Sequence, residues 1–332
     1  MADDSHVPVL LQEAVAALEV RPDGVYVDAT FGRGGHARAI LENLGAAGRL
    51  VAVDRDPAAA AAAGELAARD PRFVFSRAWF SELPDVLAAL DLVQVDGALF
   101  DLGISSPQID DATRGFSYRL DGPLDMRMDP TRGESAADFL ARASVRELTE
   151  VIRDYGEERF AQSVARRIEA ARARAPIVLT GQLRQVVGEA IGARTRGDWG
   201  QDPAARTFQA LRIFVNRELS ELSQGLPAIV PFLAQGARLA VISFHSLEDR
   251  IVKRFMLRAS RPFAGDPATA RLAIRSAALP AAPLETVGRA IKPGDTEVAR
   301  NPRSRSAVLR VAERTAHATP ADWPRGYVEA LT

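Results

Sequence analysis

The sequence predicts an α/β fold: an open, mostly parallel, Rossmann-like sheet with helices on both faces, interrupted by an all-helical insertion. Three observations carry this reading. In roughly the first third of the chain, short apolar strand-like runs alternate with helical ones, the mark of βαβ units and a parallel sheet. Three of the strand-like runs end on a carboxylate, at Asp28, Asp54 and Asp101, and the first continues into glycines. After Gln108 the strand texture disappears, and it returns only with RLAVIS at residues 238–243.

Taken in order, residues 9–18 have helical periodicity and stop before RPDG at residues 21–24, a turn that feeds the first strand. The stretch VYVDATFGRGGH at residues 25–36 is a short buried strand, a glycine turn and the start of a helix. Gly32, Gly34 and Gly35 admit positive φ and a close ligand, beside amides that point outward at a helix N-terminus. RLVAVD at residues 49–54 is the second strand. Residues 57–69 are so rich in alanine that helix is nearly the only choice, RFVF at 72–75 is the third strand and DGALFD at 96–101 the fourth.

Residues 110–133 are rich in Gly, Pro, Asp and Arg and read as a long ordered loop. Helical spacing follows over residues 145–155, 157–174 and 181–191, and residues 206–219 read as one strong helix. After the strand at 238–243, FHS at 244–246 leads into a helix over residues 247–255. Residues 262–293 read as a loop rich in Ala and Pro, and residues 307–311 as the closing strand. The expected organisation is a sheet domain at 1–108 and 213–314, an inserted helical domain at 109–212 and a C-terminal tail at 315–332.

A chain of 332 residues, 47% of them hydrophobic, can bury a sizeable core. Its 42 Lys and Arg against 43 Asp and Glu leave a net charge of −1, so any nucleic-acid surface must be a local patch. The absence of cysteine excludes disulfides, thiolate metal sites and a cysteine nucleophile. No apolar run suggests export or a membrane span, so the expected location is the cytoplasm and no membrane partner is expected. His6, His36, His245 and His317 are scattered without ligand spacing, and no metal is expected.

Residues 32–37 also fit the loose dinucleotide pattern G-x-G-x-x-A, which raises a nicotinamide or flavin site. Asp28 separates the readings. A fixed anion at the strand tip repels an approaching pyrophosphate and suits a cationic cofactor, and S-adenosylmethionine carries both a sulfonium and an ammonium. Asp54, at the tip of the second strand, is placed to accept both hydroxyls of a ribose. Phe80, just past the third strand, either stacks on adenine or is ordinary core.

With these residues in view, the chain resembles the bacterial 16S ribosomal RNA cytosine-N4 methyltransferases, the MraW or RsmH family. The resemblance rests on DATFGRGGH at 28–36, DLGISSPQ at 101–108, GFS at 115–117, GPLDMRMD at 122–129, YGEERF at 155–160, SFHSLEDR at 243–250 and NPRSRS at 301–306. It implies a class I, Rossmann-like S-adenosylmethionine-dependent methyltransferase sheet with an inserted helical RNA-recognition domain. The implied cofactor contacts are Gly34, Gly35, His36, Asp54, Phe80, Asp101 and Gln108, and Phe80 thereby moves from even odds to stacking. The implied substrate is a cytosine in the decoding region of 16S ribosomal RNA, met within the small ribosomal subunit; a homodimer is compatible with the chain. One departure stands out: DPAA at 202–205 replaces the family's usual His-Pro-Ala-Thr.

The candidate catalytic residues are Asp101, Ser105, Ser106 and His245. The turn at Ser105 and Ser106 can offer acceptors to the cytosine amine or can be a helix-capping loop. His245 can receive a proton, touch RNA or simply cap a helix. Arg166, Arg167, Arg172, Arg174, Arg184, Arg194 and Arg196 make the insertion locally basic, as Arg303 and Arg305 do near the sheet. Such residues form either a solvated face or a phosphate-binding surface. A nicotinamide-dependent oxidoreductase, NAD(P) on the same glycine loop, and a non-catalytic RNA-binding protein are the two alternatives.

Overall fold

The structure, a computed structural model, describes residues 7–195, 202–261, 282–320 and 323–324. His6, Arg196, the side chain of Arg194, residues 262–281 of the expected loop and most of the tail lie outside them. The chain divides into two compact units, Met1–Gly103 with Leu219–Thr332, and Ile104–Glu218.

The first unit is built on seven strands: β1 (Val25–Asp28), β2 (Arg49–Asp54), β3 (Phe73–Arg77), β4 (Val95–Asp101), β5 (Leu233–Ser243), β6 (Leu284–Ile291) and β7 (Val308–Arg314). Their order in the sheet is β3-β2-β1-β4-β5-β7-β6. β1 to β5 run parallel, and β7 is antiparallel to both β5 and β6. This is the open, doubly wound α/β sheet that the alternation predicts. Its order reverses direction at β1, where β2 lies on one side and β4 on the other. A crevice at such a reversal, beyond the carboxyl ends of the strands, is where open α/β sheets take ligands.

Helices α1 (Leu11–Leu18), α2 (Gly35–Asn43), α3 (Pro57–Ala67) and α4 (Leu83–Ala89) alternate with the first strands. Val27, Val53, Phe100 and Val241 belong to the apolar cluster on one face of the sheet, and Tyr26, Leu50, Leu99 and Ile242 to the one on the other. That alternation of neighbours is what a strand period of two imposes on a sheet covered twice.

The second unit holds α5 (Ser106–Asp110), α6 (Ala136–Arg142), α7 (Val145–Gly156), α8 (Ala161–Arg172), α9 (Thr180–Thr195) and α10 (Ala205–Val215). Leu148, Ile152, Val164, Ile168, Leu183, Val187 and Leu211 fill its own core. Ser135 and Ser144 start α6 and α7 with reciprocal caps to Asp138 and Glu147, which satisfy the first free amides of each helix. The unit opens at Ile104 and closes at Glu218, where residues 109 and 212 were expected. Ile104 packs against the helical core, which draws the first boundary back to the end of β4.

The expected single helix over residues 206–219 is two. α10 ends at Val215, Arg217 turns into the left-handed region at φ 50°, and α11 (Glu218–Ile229) begins. Asn216 holds the break: its Oδ1 accepts the Met128 N–H at 2.7 Å and its Nδ2 donates to the Met126 and Arg212 carbonyls at 2.7 and 2.9 Å. A second correction is β6, expected as loop. It is an edge strand with an exposed face, so Glu285 and Arg289 stand where a buried strand would carry apolar residues. After it, α12 (Ser246–Ser260), which precedes β6 in the chain, and α13 (Asp295–Arg300) complete the helices described.

Because Asn216 is 3% exposed, Asn216→Ala leaves a buried carbonyl and amide without their partner. It should lower stability by ~2 kcal/mol, read as a shift of the urea midpoint, while Asn216→Asp, which keeps the acceptor, should cost less at low pH.

Candidate cofactor and active site

Asp28 ends β1 and is 1% exposed. Its Oδ1 accepts the Thr30 N–H at 3.0 Å, and Thr30 in turn accepts the Asp101 N–H on Oγ1 at 2.6 Å. Thr30 therefore ties the tips of β1 and β4 together where the two strands part. The glycine turn follows. Gly34 sits at φ +76°, and a Cβ there would lie 2.7 Å from the Phe31 ring; at Gly35 it would lie 2.2 Å from Pro8. Packing within the chain thus demands these two glycines in addition to any close ligand. Gly35 then opens α2, whose first amides face the turn by construction.

His36, on α2 and 4% exposed, places Nδ1 3.4 Å from Asp101 Oδ2. Two carboxylates and one imidazole are thereby buried at the same strand tips. Burial pushes the Asp28 carboxyl up to about 6; the His36 charge and the Thr30 amide pull it down, and Asp101 and Asp54 push it further up. For His36 burial works downward, but the hydrogen bond to Asp101 and the charges of Asp101 and Asp28 outweigh it, and the imidazole titrates above its ordinary range.

Asp54, at the tip of β2, accepts the Gly32 N–H on Oδ2 at 2.8 Å and the Asp56 N–H on Oδ1 at 2.9 Å. Burial raises its pKa against these two bonds. Both oxygens are locked in orientation, and each keeps a second lone pair for a hydroxyl. Phe80 follows β3 on a short 3₁₀ turn, its ring edge-on to Phe100 at 5.4 Å. That turn is held from α11: Ser81 donates its N–H and Oγ–H to Glu221 Oε2 at 3.2 and 2.8 Å. A Cβ on Gly225 would lie 2.4 Å from the Phe80 Cβ, so only glycine lets α11 approach.

The residues fit S-adenosylmethionine on an observation of their own. Asp28 Oδ2 and Asp101 Oδ1 are buried and have no hydrogen-bond partner among the described residues. Buried carboxylate oxygens without partners are costly, and a ligand that brings an ammonium and a sulfonium is the complement they lack.

The other expected site residues stand apart in role. In the second unit Ser105 is the N-cap of α5, and Gln108 Oε1 accepts the Ser105 N–H and Oγ–H at 2.8 and 3.2 Å; Ser106 is the first helical residue. The helix-capping function is therefore real at this turn. His245 caps α12, its Nδ1 accepting the Glu248 N–H at 3.4 Å while Glu248 Oε2 accepts the Phe244 and His245 amides. Of the basic residues, Arg167 pairs with Glu189, Arg172 donates to the Leu140 carbonyl and Arg184 pairs with Asp202 at 2.8 Å. Arg166, Arg174, Arg303 and Arg305 are exposed. Asp202 also accepts the Ala204 N–H at 2.9 Å, so the residue that departs from the family pattern both caps the start of α10 and holds Arg184. Sequence reasoning missed Thr30, Glu221 and Gly225. Only Thr30 carried a signal, inside the DATFG run.

Two outcomes follow from this geometry. Asp54→Ala should weaken S-adenosylmethionine binding by ~2 kcal/mol, measured by calorimetry on the folded variant. For Asp28, a carboxyl raised from 3.8 to about 6 contributes stability that is present below pH 4 and lost as pH rises through 6, ~3 kcal/mol in all. Asp28→Asn should remove that loss. Its urea midpoint relative to wild type, measured without cofactor, should therefore rise between pH 4 and pH 7.

The sequence model of the MraW methylase family matches residues 3–315. Ribosomal RNA small subunit methyltransferase H of Neisseria gonorrhoeae (strain NCCP11945) is 58% identical over 315 residues, covering 95% of this chain and 97% of that protein. The protein of the same name from Azoarcus sp. (strain BH72) is 59% identical over 309 residues, covering 93% and 96%. With a strand order that reverses at β1 and carboxylates at the tips on either side of the reversal, the chain belongs to the MraW methylase family.

Proposed function

We propose that the chain methylates the N4 amine of a cytosine in the decoding region of 16S ribosomal RNA, within the small ribosomal subunit, using S-adenosylmethionine. That it is an S-adenosylmethionine-dependent methyltransferase of small-subunit ribosomal RNA follows from its family and from the name its relatives share. The finer statement is supported by one observation above all, the unpartnered, buried Asp101 Oδ1 at the tip of β4, just before the turn that carries Ser105 and Ser106.

The cofactor supplies an electrophilic methyl group on a sulfonium. Asp54, oriented by the Gly32 and Asp56 amides, holds the ribose, and Phe80 lies against the adenine. His36 fixes Asp101 from one side, leaving its other oxygen for the cationic end of the ligand. Cytosine N4 is a weak nucleophile because its lone pair is delocalised into the ring. Acceptors for its N–H groups, here Ser105 and Ser106 with Asp101, favour the pyramidal nitrogen that attack requires, so positioning and electrostatics provide the rate. An amine paired inside a duplex cannot reach that geometry, and the target must be single-stranded or swung out. The nicotinamide reading gives way to the methylase family, and a buried anion at the glycine turn argues against a pyrophosphate there.

Purified chain, labelled S-adenosylmethionine and small subunits should yield N4-methylcytosine on digestion of the RNA and mass spectrometry. Asp101→Ala should fold and lose at least ~100-fold in rate. Label on another atom of the RNA would overturn the assignment of N4, and an active Asp101→Ala would overturn the role of the β4 tip.

A further inference from the structure

The solvent face of α12 is set apart from the rest of the surface. Its buried side is Leu247, Ile251, Val252, Phe255, Met256 and Ala259. Opposite, at the i, i+3, i+4 spacing that makes one helix face, stand Arg250, Lys253, Arg254, Leu257, Arg258 and Arg261. All but the partly buried Arg258 are exposed, and no carboxylate shares the face. The acids of this helix lie elsewhere: Glu248 is buried in the capping box and Asp249 pairs with Arg310 at 2.7 Å. β6, which packs against α12, adds exposed Arg289 and Lys292 against a single exposed Glu285.

Elsewhere in the molecule many exposed arginines are neutralised, as Arg21 is by Asp96, Arg146 by Glu150, Arg153 by Asp154 and Arg167 by Glu189. On α12, Lys253, Arg254 and Arg261 pair with no carboxylate among the described residues. Arg250, Arg254 and Arg258 also follow one another at i, i+4, a ladder of like charges that destabilises a helix. The helix dipole favours cations in the last turn and accounts for Arg258 and Arg261. It does not account for Arg250, Lys253 and Arg254 nearer the middle.

We infer that this face of α12, with Lys253, Arg254 and Arg261 at its centre, is a docking surface for the phosphate backbone of the substrate RNA. The inference rests on the ribosomal RNA reading above and adds to it where the polyanion lies on the sheet unit. A chain of net charge −1 gains no general attraction to RNA, so affinity must come from a patch in which cations are left uncompensated. Phosphate contacts of this kind hold register without reading bases.

The test compares wild type, the triple variant Lys253→Gln, Arg254→Gln, Arg261→Gln, and a control of equal charge change, Arg21→Gln, Arg146→Gln, Arg153→Gln, whose arginines are already paired. Binding of a fluorescent transcript of the small-subunit decoding region is followed by anisotropy from low to moderate salt. The α12 variant should bind at least tenfold more weakly and show a salt slope shallower by roughly 2 to 3. Its S-adenosylmethionine affinity and thermal midpoint should stay at the wild-type values, and the control should behave as wild type. An unchanged slope and affinity in the α12 variant, or an equal loss in the control, overturns the surface. So does a variant that binds RNA normally but loses binding to vesicles of anionic lipid. Methyl transfer to small subunits by wild type is measured in parallel: absence of N4-methylcytosine there counts against the proposed reaction, and an unaltered α12 variant beside an active wild type counts against the surface alone.

Discussion

Everything in the sheet unit leans on the enclosure of charge where β1 and β4 diverge. Asp28, His36 and Asp101 come from a strand tip, a helix start and a second strand tip, and no water-facing route satisfies them fully. Burying carboxylates costs several kcal/mol unless they are paired, and here one imidazole serves two acids. Thr30 makes the arrangement rigid by bridging the Asp28 turn to the Asp101 amide. The pocket is thus strained toward a cation before any ligand arrives, which is the preorganisation that an electrophilic sulfonium cofactor requires.

The same economy appears one strand further out. Phe80 and Ser81 follow β3, yet what holds them is α11, the helix by which the chain re-enters the sheet unit. Glu221 is 3% exposed and spends its carboxylate on a single serine. The adenine side of the pocket therefore depends on residues more than a hundred positions downstream of the motif that announces it.

Much of this was legible in the sequence. Period-two apolar runs ending on Asp28, Asp54 and Asp101 placed β1, β2 and β4 and put their acids at one rim, because buried parallel strands have little freedom in composition. The helices of the insertion showed for the same reason, their apolar stripes being the core. What escaped notice was fixed by long-range contacts. β6 is an edge strand whose exposed residues obey no hydrophobic pattern, and the break after α10 comes from Asn216 reaching the carbonyl of Met126 and the amide of Met128, which helical periodicity cannot foresee. Glu221 and Gly225 look like ordinary helix residues until Phe80 is beside them. His245 and Gln108 were visible as motif residues, but their capping bonds emerge only from geometry.

The pairing of β4 with β5 has a consequence for how the protein is made. Asp101 lies in register with Ile242, and the whole second unit is threaded between them. A ribosome that has released β1 to β4 has released a sheet with one raw edge, apolar on both faces and lacking α11 and β5 to cover it. Synthesis must proceed through the insertion before that edge can close, and closing a loop of such length as a random coil would slow the event. An insertion that folds first, around its own core, shortens the effective loop and shields the nascent chain. The helical unit would then act as an internal timer for its host, delaying completion of the methyltransferase pocket until the last third of the polypeptide has emerged.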